Sequence, residues 1–214
     1  MHLSGHGKKK YSTGICLETS GHRNWDSLLA ERWTHHVGEL NDIEPKETEI
    51  AIMLSGNLRV TRQGEGQVQD CHAVPGTIWL CPAGIQEKNI KLYGNINECL
   101  HLYLPAEPLL NSALMDFDIN PDSLEIKYMG GFQDELIKYI GITIAKEMRT
   151  ASETSSLLID NLRNTLAAHL IHNYSNLSIS NKMINHEYMM DHSKLIKIEE
   201  YVLNNLLVIY HWQN

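Results

Sequence analysis

The sequence predicts an α+β fold, in which an antiparallel jelly-roll β-barrel is followed by an antiparallel helix pair and a terminal helix. Up to Pro105, about eight short segments rich in β-branched and aromatic residues are separated by turn residues. After Pro105, apolar residues recur at steps of three and four, which is the helical period. Short strands without helices between them are typical of an antiparallel barrel or a double-sheet jelly roll.

Composition limits the compartment and the partners of the chain. With 214 residues, it can bury one good core and a smaller appended unit. An acidic chain with a net charge of −8 gains no binding free energy from the counterion release that drives binding to a phosphate backbone. Four cysteines without metal-binding spacing indicate a reducing cytoplasm. No run approaches the roughly 20 apolar residues of a membrane helix, so we expect a cytoplasmic protein with no membrane partner.

The first elements are a tail and the barrel. Residues 1–13, MHLSGHGKKKYST, are interpreted as a mobile tail because they are basic and no apolar stretch follows them. The barrel is predicted to occupy residues 14–105. Turn signals such as Ser55-Gly56-Asn57 and Pro82-Ala83-Gly84 divide its strands.

A helical region is predicted over residues 106–176. The segment AEPLLNSALMDF suits a short helix, and apolar spacing predicts a longer one over residues 133–149. Thr150-Ala151-Ser152-Glu153 has the pattern of a capping box and is predicted to open a second long helix. A linker at residues 177–191 and a last helix at residues 192–214 follow, with Asp191 as an acceptable N-cap.

Six segments occur in the order in which one family of regulators carries them. They are TEIAIMLSGNLRV, PGTIWLCPAGIQE, ECLHLYLP, QDELIKYIGITIAKEM, LLIDNLRNTLAAHLIHNYS and KLIKIEEYVLNNL. Together they resemble the AraC family of bacterial transcription regulators. The resemblance implies a cupin-like barrel that binds a small-molecule effector, a helix pair that dimerises, and a linker to helix-turn-helix units. The two DNA-reading helices do not occur in this sequence. Residues 192–214 are therefore expected to begin a truncated DNA-binding region, with DNA recognition only through a missing C-terminal region.

The cupin pattern also implies positions for metal ligands. Glu49, separated by six residues from Gly56, fits the glutamate of this pattern, but the histidine pair would fall within residues 42–45, where there is none. Glu87 stands where the second motif has its histidine. Iron, nickel and zinc sites are usually built from imidazole nitrogens, so we expect no metal and no other cofactor. His35 and His36 are neighbours on a predicted strand, so their side chains point to opposite faces and cannot bind one metal together.

The segment ECLHLYLP places Cys99, His101 and Tyr103 on one face of a strand and three leucines on the other. The leucines could form the core, with His101 and Tyr103 half-exposed, or they could face the helices while His101 and Tyr103 line a cavity. In a sugar-binding member of the family, the matching positions hold the ligand. That resemblance makes pocket candidates of His101 and Tyr103, and also of Asn89. Weaker candidates for the same pocket are Trp33, Trp79 and Glu87.

We interpret the chain as a regulator and not as an enzyme, because no nucleophile motif or phosphate-binding loop is present. Its predicted partners are a small-molecule effector and a second copy of the chain. The apolar stripe predicted for dimerisation comprises Ile159, Leu162, Leu166 and Leu170. One alternative is a stand-alone cupin-type metalloenzyme, an isomerase or a dioxygenase, with an altered carboxylate site. Another is a shortened regulator that dimerises with intact relatives and inactivates them.

Overall fold

Ten antiparallel strands and three helices make up the part of the chain that the structure describes. This structure is a computed structural model, and it describes residues 3, 5–23, 25–105, 123–150 and 152–177. The predicted helix in AEPLLNSALMDF and the predicted terminal helix lie outside the described residues. So does the predicted linker beyond Leu177.

Among the described residues, one short helix precedes the ten strands and two longer helices follow them. The strands are β1 Gly14–Thr19, β2 Leu29–His35, β3 Gly38–Glu39, β4 Glu47–Gly56, β5 Leu58–Gly64, β6 Gln67–Ala73, β7 Ile78–Cys81, β8 Lys88–Leu92, β9 Ile96–Pro105 and β10 Met129–Phe132. The helices are α1 Gly7–Lys10, α2 Glu135–Thr150 and α3 Ser155–Tyr174.

Two sheets face each other and form the barrel. The larger sheet has the strand order β1-β2-β9-β4-β7-β10, and the smaller one has the order β3-β8-β5-β6. The predicted double-sheet, antiparallel barrel followed by a helix pair is therefore confirmed. The predicted boundary at residue 105 is too early, because β10 pairs with β7 and completes the larger sheet. Its sequence, MGGF, carries no alternating apolar pattern that would have marked it as a strand.

Strand β9 lies at the centre of the larger sheet and fixes which side chains face inwards. Leu102 of β9 is opposite Ala30 of β2 and Ile50 of β4. His101 of β9, one residue earlier, is opposite Glu31 and Ala51 on the other face. Because successive side chains of a strand point to opposite faces, the larger sheet has an apolar outer face and an inner face that carries both polar and apolar side chains.

Each face of the larger sheet has its own apolar core. The outer core joins leucines and isoleucines of the sheet to α2 and α3, and its fully buried members include Ile50, Ile52, Leu100, Leu102, Ile137 and Ile144. The inner core lies between the sheets and includes Met53, Leu58, Val60, Trp79, Leu92 and Cys99. The central strands of the larger sheet thus separate the helix pair from the barrel interior by one layer of backbone.

The predicted dimerisation stripe of α3 belongs to the outer core of the monomer. Ile159, Leu166 and Leu170 have no exposed surface, and Leu162 packs partly buried against the same core. In this arrangement Ile159, Leu166 and Leu170 therefore offer no surface to a second copy of the chain. A 3.6-residue apolar stripe indicates that one helix face is covered, but it does not tell what covers it. Here α2 and the barrel cover it.

The connection between α2 and α3 differs from the predicted capping box. Thr150 is the last residue of α2, and α3 begins at Ser155, where the hydroxyl donates to Glu147 at 2.6 Å. No side chain caps the start of α3. At the start of α2, by contrast, Asp134 acts as the cap and accepts from the N–H of Ile137 at 2.9 Å. None of the described helices is both long and apolar enough to cross a lipid bilayer.

Residues 5–13 are not a solvated tail, which corrects the interpretation of the N-terminus. His6, Gly7, Lys10 and Tyr11 are buried, and the peptide N–H of Asn41 donates to the carbonyl of Lys10 at 2.9 Å. The segment lies against the inner face of the larger sheet. We call residues 5–13 the N-terminal segment. Its basic character, which suggested solvation, instead provides a partner for carboxylates inside the barrel.

Candidate ligand-binding site inside the barrel

A small cavity lies between the two sheets and has a lining that is partly polar and partly apolar. Its volume is about 50 Å³, and because a cavity needs about 10–15 Å³ to hold one water, only a few waters fit. The polar lining consists of Lys10, Tyr11, His35, Glu49, Arg62, Glu87 and His101. The apolar lining consists of Leu40, Ala51, Val60, Trp79, Ile90, Leu92, Ile96 and Cys99.

Glu49 of β4 is the centre of the polar lining. Its Oε2 accepts from His6 Nε2 at 2.8 Å and from Lys10 Nζ at 2.6 Å. Its Oε1 accepts from the hydroxyl of Tyr11 and from His101 Nδ1, the latter at 2.8 Å. A carboxylate offers about four acceptor positions, so Glu49 is fully satisfied although it is buried. Three of its four donors come from the N-terminal segment.

Glu87 is completely buried and is joined to Glu49 through one ammonium group. Lys10 Nζ donates to Glu87 Oε2 as well as to Glu49. The other oxygen of Glu87 accepts from Arg62 Nη1 at 2.8 Å and from the hydroxyl of Tyr128 at 3.2 Å. The Lys10 ammonium therefore bridges two carboxylates, one at the glutamate position of the cupin pattern and one at its second-motif histidine position.

Two histidines extend this network from β9 to β2. Because the Glu49 carboxylate can only accept, His101 carries its proton on Nδ1, and its Nε2 then accepts from His35 Nε2 at 3.1 Å. The remaining nitrogen of His35, Nδ1, is buried and has no hydrogen-bond partner among the described residues. Both rings are neutral in this arrangement.

A second polar group lies beside the cavity, where the N-terminal segment passes over β2 and β9. Glu31 Oε2 accepts from the indole N–H of Trp33 at 2.9 Å and from the hydroxyl of Tyr103 at 3.4 Å. At Gly7, a Cβ atom would lie only 2.6 Å from Glu31 Oε2 and 2.8 Å from the Trp33 ring. Only glycine lets the segment approach this group so closely.

Burial and ion pairing act in opposite directions on the charged groups. Burial would lower the pKa of Lys10, but Glu49 and Glu87 outweigh this effect and raise it. Burial would raise the pKa of both carboxyls, but Lys10 holds them below their usual value, with His6 helping at Glu49 and Arg62 at Glu87. All three groups are therefore charged at neutral pH.

For the other groups of the network, burial outweighs ion pairing and shifts the pKa so that the neutral form is favoured. Burial, assisted by His101, lowers the pKa of His35 to about 3. Burial also lowers the pKa of His101, although its hydrogen bond to Glu49 acts against this shift. Burial raises the pKa of the Tyr11 hydroxyl and of the Cys99 thiol. The site thus combines fixed charges with imidazoles, a phenol and a thiol that stay neutral.

The predicted pocket residues divide into three groups. His101, Trp79 and Glu87 line the cavity. Trp33 and Tyr103 are buried next to it and contact the N-terminal segment: the Trp33 ring lies 5.1 Å from that of Tyr11, and the Tyr103 ring 5.0 Å from that of His6.

Asn89 lies outside the cavity, contrary to the prediction. Its side chain is exposed and donates to Gln63 at 3.0 Å, and its φ of 52° is in the left-handed region. This local backbone turn at the start of β8 directs the side chain away from the barrel interior.

Sequence reasoning missed six residues of the polar network, namely His6, Lys10, Tyr11, His35, Arg62 and Tyr128. Arg62 had a usable signal, because it alternates with Val60 and so shares the inner face of β5. His35 and His36 do face opposite ways, as predicted. That argument excluded joint metal binding but left the single inward His35 unconsidered.

The cupin resemblance implies a metal, and the residues present can be tested against it. The two carboxylates at the ligand positions are occupied by the Lys10 ammonium, which stays charged, so they do not fit a metal ion while the N-terminal segment is in place. A different set is formed by His35, Cys99 and His101, whose ligand atoms lie within 4.8 Å of one another. Imidazole and thiolate are zinc and copper ligands.

Known proteins add little to this description. No family model matches the chain, and no curated protein matches its sequence. Among solved structures, the EutQ protein of Clostridium difficile is 14% identical, with 49% of this chain and 82% of that chain covered and a TM-score of 0.34. A mutant of Bacillus subtilis oxalate decarboxylase is 20% identical over 45% of this chain and 29% of that chain, with a TM-score of 0.30. Vicilin from Corylus avellana is 14% identical over 47% and 30%, with a TM-score of 0.32.

These similarities are too weak to assign an activity. The class of protein follows from the topology: two facing antiparallel sheets with a helix pair packed on the outer face of the larger one. The chain is a cupin-like barrel protein with appended helices.

Proposed function

We propose that this chain is the effector-sensing and self-association part of a bacterial transcription regulator of the AraC type, acting without a metal. The proposal rests on one observation, the closed polar network inside the barrel. Buried ionic groups are expensive to maintain, and they cluster at functional sites more often than elsewhere. In the proposed full protein, DNA would be bound by a region that this sequence does not contain.

The chemistry of the network favours binding over catalysis. Every oxygen of Glu49 and Glu87 already accepts a hydrogen bond, so neither carboxylate is a free base. The Cys99 thiol is protonated because burial raises its pKa, and a thiol is a weak nucleophile. A ligand that exchanges with part of this network would be recognised through charge and hydrogen bonds.

The position of the helices provides a physical route for a response. Glu49 and Ala51 of β4 face the cavity, whereas Ile50 and Ile52 of the same strand pack against the helix pair. A ligand that shifts β4 would therefore also shift the apolar surface on which α2 and α3 pack. Regulation requires that the ligand bind two such arrangements with different affinity.

Self-association is proposed through the outer face of α2 and not through α3. Leu136, Tyr139 and Ile142 form an exposed row, with 42%, 60% and 43% of their surface exposed. A second copy of the chain is the proposed partner. This keeps the expected homodimer of the helix pair while replacing the residues that the monomer buries.

A ligand screen tests the sensing function. Thermal unfolding of the purified chain would be recorded with small metabolites of neutral, acidic and basic character. A ligand that binds the native state at a hundredfold excess over Kd stabilises it by about 2.7 kcal/mol. Arg62→Met, which removes one cation of the network, should abolish the shift, whereas Arg59→Met on the exposed face of β5 should not. A screen without any hit in the three charge classes would contradict the proposal.

The second candidate is a cupin-type metalloenzyme, and the cluster of His35, Cys99 and His101 is the observation that favours it. Elemental analysis of the purified chain separates the two candidates. One metal ion per chain that is lost in Cys99→Ala but retained in Cys71→Ala would favour the enzyme. Protein without bound metal after incubation with zinc would favour the sensor.

A further inference from the structure

We propose that the ligand of the barrel is a small primary amine with an apolar body, and that the Lys10 side chain occupies the place of its ammonium group. This inference rests on the proposed sensing function and specifies the class of effector. It follows from the charge of the site, from the space available and from the combination of polar and apolar side chains in the lining of the cavity.

The charge of the site selects a cation. Three buried carboxylates, those of Glu31, Glu49 and Glu87, are matched among the described residues by two buried cationic side chains, Lys10 and Arg62. A neutral or acidic ligand that displaced Lys10 would leave Glu49 and Glu87 facing each other without a shared cation. Leaving a buried charge unpaired is strongly destabilising, so the replacement must carry a positive charge.

The geometry of the Lys10 contacts selects an ammonium. A single nitrogen donates to Oε2 of Glu49 and to Oε2 of Glu87. An ammonium is a compact charge with three donors that can be directed separately, whereas a guanidinium is a planar fork. A guanidinium, that of Arg62, is already present next to this ammonium and donates to Glu87 and Gln69.

The available space requires displacement. The cavity of about 50 Å³ has room for a few waters, so a larger ligand must take volume that the Lys10 side chain now fills. Val60, Ile90 and Leu92 line the cavity from the smaller sheet, whereas Glu49 belongs to the larger sheet. A ligand with its nitrogen between the carboxylates would place its carbon atoms against these apolar side chains, which favours an alkyl or aryl amine over a polyhydroxylated one.

Chemical rescue of Lys10→Ala tests the proposal with n-butylamine, n-butanol and butyrate as probes. The amine should stabilise the variant and raise its melting temperature by roughly 5–10 °C at a hundredfold excess over Kd. The alcohol and the acid should have no effect, and the control Lys9→Ala, an exposed position in the same short helix, should not distinguish the three probes. Adding Glu87→Gln to Lys10→Ala should weaken the response to the amine.

Hydrogen exchange of the wild-type chain serves if Lys10→Ala does not fold. Saturating phenethylamine should then increase amide exchange in residues 5–13, because the amine displaces Lys10, and unchanged exchange would overturn the inference. Stabilisation by the alcohol or the acid but not by the amine would overturn the amine assignment and leave the sensing function standing. An absence of binding in all charge classes, in this test and in the metabolite screen, would instead reject the sensing function.

Discussion

Lys10 illustrates how one side chain can determine the character of a site. Its ammonium lies between two carboxylates that occupy ligand positions of a metal-binding pattern, and it neutralises them as a cation of that site would. Arg62 of β5 forms a second ion pair with one of these carboxylates, that of Glu87. Three carboxylates are tolerated in the barrel interior because these cations and several hydrogen bonds accompany them.

Replacing Lys10 with methionine should therefore be costly. Lys10→Met keeps the length of the side chain but leaves Glu49 and Glu87 without their shared partner, and breaking a buried ion pair costs about 3–5 kcal/mol. Lys9→Met, in the same helix but exposed, should change stability by no more than about 0.5 kcal/mol. Urea unfolding of both variants checks the difference. Equal effects of the two substitutions would mean that the bridge adds nothing to stability.

His35 makes stability depend on pH in a defined window. Its pKa is about 3 in the folded chain and about 6.5 when unfolded. Between these pH values the unfolded chain binds the proton and the folded chain does not. The free energy of unfolding is therefore unaffected by His35 above about pH 6.5 and decreases as the pH falls below it. The loss amounts to about 1.4 kcal/mol per pH unit for this imidazole. His101, whose pKa is also lowered, acts in the same direction.

Unfolding measured between pH 7 and pH 5 separates the imidazoles from the carboxylates. The folded-state pKa values of Glu49 and Glu87 are lowered, so their contribution is present above about pH 4.5 and is lost only in stronger acid. His35→Gln should reduce the slope of stability against pH, and His36→Gln, at the exposed neighbouring position, should not. Identical slopes in the wild type and His35→Gln would argue against a neutral buried His35.

Among single residues of the site, the sequence could predict only those that belong to a local pattern. Glu49 and Glu87 could be placed by their spacing from glycines and a proline, and His101 by strand alternation. Lys10 could not be found in this way, because 39 and 77 positions separate it from the two carboxylates it contacts. Contacts of such separation depend on the folded path of the chain, which local periodicity does not encode.

Among the elements, α2 shows how a helix is seated on a barrel. Gly141 faces the sheet, where a Cβ atom would lie 2.5 Å from Ile52 Cδ1 and 3.2 Å from Leu100 Cδ2. Both neighbours are fully buried and have no space into which to move. The glycine thus permits the close approach of the helix to β4 and β9, at the expense of helix propensity.

Gly141→Ala should therefore destabilise the chain despite its better helix propensity. The substitution gains about 1 kcal/mol in propensity, and overpacking of a dense core costs about 1–3 kcal/mol. We expect a net loss that shrinks in the Ile52→Val background, where Cδ1 is removed, and a double-mutant cycle measures this coupling. Lys146→Ala, on the exposed face of α2, serves as the control. A stabilised Gly141→Ala would mean that the helix lies further from the sheet.

The elements also differ in how readable they are from the sequence. Alternation in β9 left two orientations open, and the structure has the leucines on the helix side and His101 on the cavity side. The apolar period of α3 was correct, but the stripe is covered by the outer core of one chain, and the sequence could not tell this because core packing and dimerisation require the same pattern. Strand β10 was missed altogether, since Gly130 and Gly131 remove the side chains that alternation needs.

For the whole molecule, the main feature is a sheet shared by two cores. Its inner face carries the polar network, and its outer face carries the helix pair. Densely packed layers transmit small displacements, so we expect a change at Glu49 to reach α2 through the thickness of one strand. In the proposed function, charge determines what binds between the sheets, and apolar packing on the far side determines how the helices lie.

Association of two chains is predicted to use surface that this packing leaves exposed. In sedimentation equilibrium, the wild type should give twice the chain mass of 24.4 kDa. Tyr139→Glu combined with Ile142→Glu should give the monomer mass with little change in unfolding, because both side chains are exposed.

Leu166→Ala is the matched control from the core. It should lose about 2–5 kcal/mol of stability, as expected for a large-to-small change in a core, while its mass stays at the wild-type value, because Leu166 has no exposed surface. A dimer that persists in the Tyr139 and Ile142 variant but dissociates in Leu166→Ala would reverse the assignment. It would place the interface on α3, with the helix pair opening to expose its core when two chains associate.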